Sequence, residues 1–338
     1  MPPSSAPLAT VDAKPPIVVT GASAGGVLAL RRLVAELPAD FAAVMLVVLH
    51  VGEHASRLPQ LLAWAGPLRA RHAVNGEKFA TGQIYVAPPD HHLLVGADSL
   101  VLTRGPKEHH ARPAIDPLFR SAALSHRERT IGVVLTGALD DGTAGLAAIK
   151  RFGGVAIVQD PDEAQEPSMP LSALKYVDVD RRLPVSLIAR ELVERTRRPG
   201  ARAPADTREQ QVVAHEHAIC TAEGDAMEHL AAIGRPSGLV CPDCQGGLWE
   251  IERSRPPRYR CHTGHGFTLR TLASAHAEAT DEALWSAIRA LQEKAIILRR
   301  SAQQAALVGD DRAHDDADAQ AEAAERQATM LRGLAERA

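Results

Sequence analysis

Ser23, His50 and Asp141 have the chemical types of a nucleophile, a base and an orienting acid, and each follows an apolar run that reads as a strand. A serine hydroxyl is a poor nucleophile until a neutral imidazole takes its proton. The imidazole in turn needs a carboxylate to fix its tautomer and stabilise its charged form. Ser23 stands in Gly21-Ala22-Ser23-Ala24-Gly25, a G-x-S-x-G turn between Ile17-Val18-Val19-Thr20 and an apparent helix. A strand-to-helix turn of this kind pushes the hydroxyl out of the sheet and leaves backbone N–H groups free to face an oxyanion. His50 ends the apolar run 42–49, and Asp140-Asp141 lie in the turn Gly137–Gly142 after Ile131-Gly132-Val133-Val134-Leu135-Thr136. The carboxyl ends of parallel strands share one rim, so the three residues can converge. Capping the helix that begins near Gly142 is the commoner work for Asp140 and Asp141, so one can cap while the other does chemistry.

A second set of residues suits a metal. Cys241-Pro242-Asp243-Cys244 and Cys261-His262-Thr263-Gly264-His265 give C-x2-C, sixteen intervening residues, then C-x3-H. Two close pairs of soft or borderline ligands can close a tetrahedral site, read as structural zinc on Cys241, Cys244, Cys261 and His265. His262 competes with His265, but its adjacency to Cys261 makes joint chelation awkward. His215, His217 and Cys220 form a looser, unassigned cluster.

The glycine-rich turn around Ser23 also invites a dinucleotide-binding reading. That fingerprint needs glycine where Ser23 stands and an acid after the second strand, where this chain has His50. The triad chemistry itself needs no cofactor.

The elements that position these residues follow from the pattern of the 338-residue chain. Its apolar fraction is 45% and its aromatic fraction only 3%, so an aliphatic core of buried parallel strands is expected. From 17 to 197 strand-like runs (17–20, 42–50, 84–87, 131–136, 155–159) alternate with helix-like ones (26–37, 58–64, 118–125, 144–152, 185–197). Segments 92–95 and 100–103 read as an inserted antiparallel hairpin at a sheet edge. The expected fold is α/β: a mostly parallel doubly wound sheet with that hairpin, then a small zinc-binding module and a helical hairpin. Residues 1–16 read as a disordered lead-in, 17–197 as the catalytic domain, 198–236 as a linker, 237–268 as the zinc-ribbon-like module and 269–338 as the helical hairpin. In the last, Leu284, Ile288, Leu291, Ala295 and Leu298 form one seam.

A formal charge of −3 speaks against non-specific nucleic-acid binding. The longest apolar run, 41–49, is too short to span a bilayer, so membrane insertion is not expected. Three of four cysteines fall between 241 and 261, which suits a metal site in a reducing, cytoplasmic setting better than disulfides.

Several blocks together carry a family resemblance: Gly21–Gly26, the strand ending at His50, Ile84-Tyr85-Val86-Ala87-Pro88-Pro89-Asp90-His91-His92, Arg112-Pro113-Ala114-Ile115-Asp116-Pro117, Thr136–Gly142, Val158-Gln159-Asp160-Pro161 and Met169-Pro170. In order and spacing they resemble the catalytic domain of CheB-type chemotaxis methylesterases from 17 to about 197. The resemblance implies hydrolysis of glutamate γ-methyl esters on chemoreceptors, with an accompanying glutamine deamidase activity. It implies Ser23 as nucleophile, His50 as general base, Asp141 as orienting acid and backbone amides near Ala24 and Ala138 as oxyanion donors. Arg112 is read as a substrate contact, and Asp116-Pro117 as a structural helix cap. The chain departs from the family pattern at Ala24 (commonly Thr), Ala138-Leu139 (commonly Met-Gly) and Ala114 (often Ser). The receiver domain that usually precedes such a domain is not met before residue 17, so regulation is expected from the C-terminal region or a separate partner. Two other functions fit the chain: a non-catalytic scaffold of the same fold, and a hydrolase of another carboxylic ester.

Overall fold

The computed structural model describes residues 14–197 and 207–337. The chain divides after Leu272 into two compact units.

The first unit is built on a seven-stranded sheet of β1 (Ile17–Ala22), β2 (Val44–Leu49), β3 (Arg69–His72), β4 (Gln83–Val86), β7 (Thr130–Val134), β8 (Val155–Gln159) and β9 (Arg181–Leu183), in the order β3-β4-β2-β1-β7-β8-β9. Every pairing is parallel. β1, β2, β7 and β8 are buried along their whole length, which is why they read as unbroken aliphatic runs. Two apolar layers form on opposite faces of the sheet: Val19, Leu46, Leu118, Phe119 and Ile149 belong to one, and Val18, Leu30, Leu33, Met45 and Ile188 to the other. Helices α1 (Gly26–Ala35), α2 (Leu58–Ala65), α3 (Ile115–His126), α4 (Thr143–Arg151), α5 (Ser168–Tyr176) and α6 (Val185–Thr196) cover them. The chain leaves β1 toward β2 on one side and returns to β7 on the other, so the strand order reverses at β1, the place in such sheets where the carboxyl ends of strands hold functional residues.

The expected hairpin is present as β5 (His92–Val95) and β6 (Leu100–Thr103), but as a separate two-stranded sheet rather than an edge of the main one. It is tied to α3, where the Ser121 hydroxyl accepts the Val95 N–H at 3.0 Å.

The stretch expected as a linker, 198–236, is corrected in part. Residues 198–206 lie outside the described residues, as do 1–13 of the expected lead-in. The remainder folds as α7 (Arg208–Thr221), α8 (Ala226–Ile233) and the start of β10 (Gly234–Val240). Thr207 and Asp225 cap the two helices, accepting N–H bonds from Gln210 and Met227. Ile219, Leu230 and Ile233 close a small core with Ile251. β10 opens a four-stranded antiparallel sheet with β11 (Gly247–Ile251), β12 (Arg258–Cys261) and β13 (Gly266–Thr268). An isolated β-bridge between Glu108 and Gly266 ties this sheet to the α/β body.

Helix α9 (Leu269–Leu307) leads into the second unit, which α10 (Asp311–Ala335) completes. Within that unit Ile288, Ala295 and Ala302 are buried, as are Ala321, Ala324 and Ala328. Arg299 of α9 pairs with Asp318 and Glu325 of α10, so the two helices lie against each other. Among the described residues no helix is long and apolar enough to cross a membrane.

Candidate active site

The turn after β1 is fixed from both sides. The Ser23 N–H donates to the Thr136 carbonyl at 3.0 Å, and the Gly26 N–H to the Ser23 carbonyl at 2.8 Å. Gly25 has a φ of 76°, a left-handed conformation that suits glycine. The turn after β7 lies alongside: a Cβ added to Gly137 would stand 2.9 Å from Ser23 Cβ and 2.1 Å from Met169 Sδ. The missing side chain at 137 is what lets this turn approach the serine.

His50 follows β2, its N–H donating to the Ala22 carbonyl at 3.3 Å. Its Nδ1 lies 3.2 Å from Ser23 Oγ and its Nε2 lies 2.8 Å from Asp141 Oδ2. With the proton on Nε2, held by the carboxylate, Nδ1 presents its lone pair to the serine hydroxyl. Ser23 is partly exposed and the His50 side chain 21% exposed, while that of Asp141 is 2% exposed. The reacting end of the array thus faces solvent and its anchoring end is dry.

Asp141 accepts four hydrogen bonds besides its place in the chain: Oδ2 takes His50 and the Ile115 N–H (2.7 Å), and Oδ1 takes the Asp116 N–H (3.0 Å) and the Gly142 N–H (2.7 Å). Burial presses its pKa upward. The charge of His109, the bond from His50 and the Ile115 N–H outweigh that and hold the carboxyl down at about 2.

His109 has no counterpart in the sequence reading. Its Nε2 donates to Asp116 Oδ2 at 2.8 Å and lies 3.5 Å from Asp141 Oδ1. Burial lowers its pKa, but the Asp141 charge and the Asp116 bond and charge carry it up to about 10, so the ring is a buried imidazolium. Nothing in the spacing around His109 marks it: Asp116 lies seven residues on, in the first turn of α3, while Asp141 comes from the separate turn before α4.

Asp116 is not the cap of its own helix. α3 begins at Ile115 behind Ala114, and Asp116 Oδ1 instead accepts the Gly145 N–H of α4 at 2.6 Å. Asp140 does not cap α4 by its side chain either; Gly142 takes that position with a φ of 86°, and Asp140 Oδ1 accepts the Thr268 hydroxyl at 2.8 Å. Burial raises the Asp140 pKa.

Ala24 and Ala138 are exposed beside Ser23, and their N–H groups have no hydrogen-bond acceptor among the described residues. They are available to an oxyanion. Arg112, expected as a substrate contact, is bonded within the chain: Nε donates to Asp90 Oδ1 at 2.8 Å, and Nη1 to the carbonyls of Arg104 and Gly105. With Arg104 on the same carboxylate, it ties down the 90–112 segment.

The thiols of Cys241, Cys244 and Cys261 and the His265 ring converge, with ligand atoms within 4.8 Å of one another. His262 is exposed and stands outside this group. His109, Asp116 and Asp141 form another compact group, but their facing atoms are already joined to one another and to backbone N–H donors.

Residues 18–192 match the family model described as CheB methylesterase. A Caulobacter vibrioides protein named protein-glutamate methylesterase/protein-glutamine glutaminase 2 is 39% identical over 202 residues, which cover 58% of this chain and 57% of that protein. A Leptospira interrogans protein that carries the same kind of name provisionally is 37% identical over 174 residues, 51% of this chain and 90% of its own length. The chain therefore spans nearly all of the Leptospira relative and little more than half of the Caulobacter one. The crystal structure of the Thermotoga maritima CheB methylesterase catalytic domain is similar at a TM-score of 0.52 and 33% identity, covering 54% of this chain and 98% of that one.

Proposed function

The chain belongs to the CheB methylesterase family, and on that premise we propose that it hydrolyses glutamate γ-methyl esters of a methylated chemoreceptor and deamidates glutamine side chains at the same site. The observation that carries this is the continuous array Ser23 Oγ, His50 Nδ1, His50 Nε2, Asp141 Oδ2 at the rim of a parallel sheet.

In this reading His50 Nδ1 takes the Ser23 proton as Oγ attacks the ester carbonyl carbon, and the carbonyl π electrons move onto oxygen. The N–H groups of Ala24 and Ala138 stabilise that oxyanion, a contribution of about 3 kcal/mol per donor in comparable sites. The tetrahedral intermediate collapses, the methoxy group leaves as methanol with the proton from His50, and a glutamyl-Ser23 ester remains. His50 then removes a proton from water, which attacks the acyl carbon; glutamate leaves and Ser23 is reprotonated. With a glutamine side chain the leaving group is ammonia. Asp141 remains ionised throughout, in keeping with its lowered pKa.

The proposed partner is a methylated receptor tail in the cytoplasm, and the four free cysteines suit a reducing setting. Methanol release from a methylated receptor fragment tests the reading: wild type is expected to release it and Ser23→Ala to lose nearly all of that activity. Equal release by both, or none from either across a range of receptors, overturns it.

A further inference from the structure

We propose that Cys241, Cys244, Cys261 and His265 bind a zinc ion, and that the ion holds the β10–β13 sheet as a clamp on the 137–142 turn beside Ser23. Nothing in the family match reaches these residues, since it ends at 192.

The ligand geometry comes first. Tetrahedral zinc with thiolates at about 2.3 Å and an imidazole at about 2.0 Å places its ligand atoms roughly 3.4–3.8 Å apart. Cys244 Sγ lies 3.6 Å from Cys261 Sγ, Cys261 Sγ 3.5 Å from His265 Nδ1, and Cys241 Sγ 3.8 Å from His265 Nδ1. Both ligand pairs sit on tight turns. The Gln245 N–H returns to the Cys241 carbonyl and the Gly264 N–H to that of Cys261, with Gly264 at a φ of 97°. The Thr263 hydroxyl lies 3.0 Å from Cys244 Sγ and 2.9 Å from Cys261 Sγ, placed to donate to a thiolate. Asp243 supplies an outer carboxylate: Oδ2, buried without a hydrogen-bond partner, is 4.0 Å from His265 Nε2, and Oδ1 pairs with His110 at 2.7 Å. Four protein ligands fill the tetrahedron, so the ion is structural.

The clamp follows from where the ligands fall in the chain. One residue before Cys261, the buried Arg260 pairs with Glu108 at 3.0 Å. One residue after His265, Gly266 donates its N–H to the Lys107 carbonyl and accepts that of His109, at 3.2 and 2.7 Å. Two residues further, Thr268 bonds Asp140, and Arg270 Nη1 donates to the Leu139 carbonyl at 3.3 Å. Leu139 adopts a left-handed φ of 62°, a conformation that neighbouring contacts must maintain. The ion would thus fix the strand ends that fix the oxyanion turn.

The test uses the full chain and needs no substrate. Elemental analysis of the purified protein is expected to find about one zinc per chain, lost in Cys241→Ser and Cys244→Ser. Hydrogen exchange is then followed with zinc bound, after chelation and after zinc is restored. Chelation is expected to speed exchange in 234–268 and in 137–142 by on the order of tenfold, reversibly, with β1 and β2 still protected. The double variant Thr268→Val, Arg270→Ala leaves every ligand in place; it is expected to retain zinc yet loosen 137–142. No stoichiometric zinc overturns the site, and an unchanged 137–142 segment in the double variant overturns the clamp, even if zinc loss unfolds the chain. A chain that binds zinc and responds in exchange but releases no methanol refutes the esterase reading alone.

Discussion

Asp141 and Asp116 each cap the helix to which the other is attached. Asp141, just before α4, accepts the first N–H groups of α3 (Ile115 and Asp116), and Asp116, in the first turn of α3, accepts the Gly145 N–H of α4. The two helix N-termini therefore meet two carboxylates and one imidazolium, His109, and Asp141, the acid of the proposed triad, is held by the same bonds that hold the fold. Asp141→Asn is expected to lower kcat about 10⁴-fold by losing the tautomer hold on His50. Asp116→Ala is expected to cost about 3 kcal/mol of stability by unpairing buried charge while leaving methanol release within about tenfold. Denaturant melts and methanol assays on both variants check this. Loss of turnover in Asp116→Ala at unchanged stability would contradict it.

Stability is expected to peak near pH 6.5 and fall on both sides. His109, raised to about 10 against an ordinary 6.5, contributes stability that is complete below 6.5 and is lost as pH rises toward 10. His126 and His217 are pushed down to about 4, first by burial and then by nearby cations, so their contribution is complete above 6.5 and is lost as pH falls toward 4. Asp141, held at about 2, adds a loss between 3.8 and 2. Each group contributes a slope of up to about 1.4 kcal/mol per pH unit within its window. Urea unfolding from about pH 2 to 10 measures the curve, and His126→Gln should flatten its limb between about 6.5 and 4; an unchanged limb there would reject that assignment.

The central strands were legible because burial on both faces leaves nothing but aliphatic residues between turns, as in Val44–Leu49. The edges were not: β3 is Arg-Ala-Arg-His and β9 Arg-Arg-Leu, short and charged as edge strands are. α7 was hidden for another reason. Its buried face includes Gln210 and Glu216, whose partners Arg151, Arg258 and Arg260 lie far away in the chain. Ser23, His50 and Asp141 could be proposed from strand ends alone, since topology brings parallel carboxyl ends together. His109 and the reciprocal capping could not, because they depend on how α3 and α4 face each other.

Gly137 is where the proposed oxyanion turn is most sensitive to bulk. A Cβ there would meet Met169 Sδ at 2.1 Å and Ser23 Cβ at 2.9 Å, and Met169 is fully buried. Gly137→Ala is expected to cost about 1–3 kcal/mol by overpacking and to lower kcat on the order of 100-fold by displacing Ser23 from His50. Steady-state kinetics with a thermal melt separate the two effects. Unaltered kcat would mean that the turn does not position the serine.

Glu108 joins the β10–β13 sheet to the α/β body through charge. Its carboxylate is buried between Arg120 of α3 (2.6 Å) and Arg260 of β12 (3.0 Å), and the two guanidiniums hold its pKa well below the usual carboxylate range against the opposing effect of burial. Arg260 also reaches Glu216 at 3.4 Å, which Arg258 pairs at 2.7 Å, so three arginines share two carboxylates away from water. Removing one carboxylate charge leaves guanidiniums that water cannot reach. Glu108→Gln is therefore expected to destabilise the protein by about 3–5 kcal/mol. The loss should persist in high salt, because a buried network is poorly screened. A double cycle with Arg260→Met should return part of it, since that change removes one of the stranded cations. Chemical denaturation of the single and double variants in low and high salt measures each quantity. A Glu108→Gln loss below about 1 kcal/mol, typical of an exposed pair, would show that the network is solvated and does not join the sheet to the body.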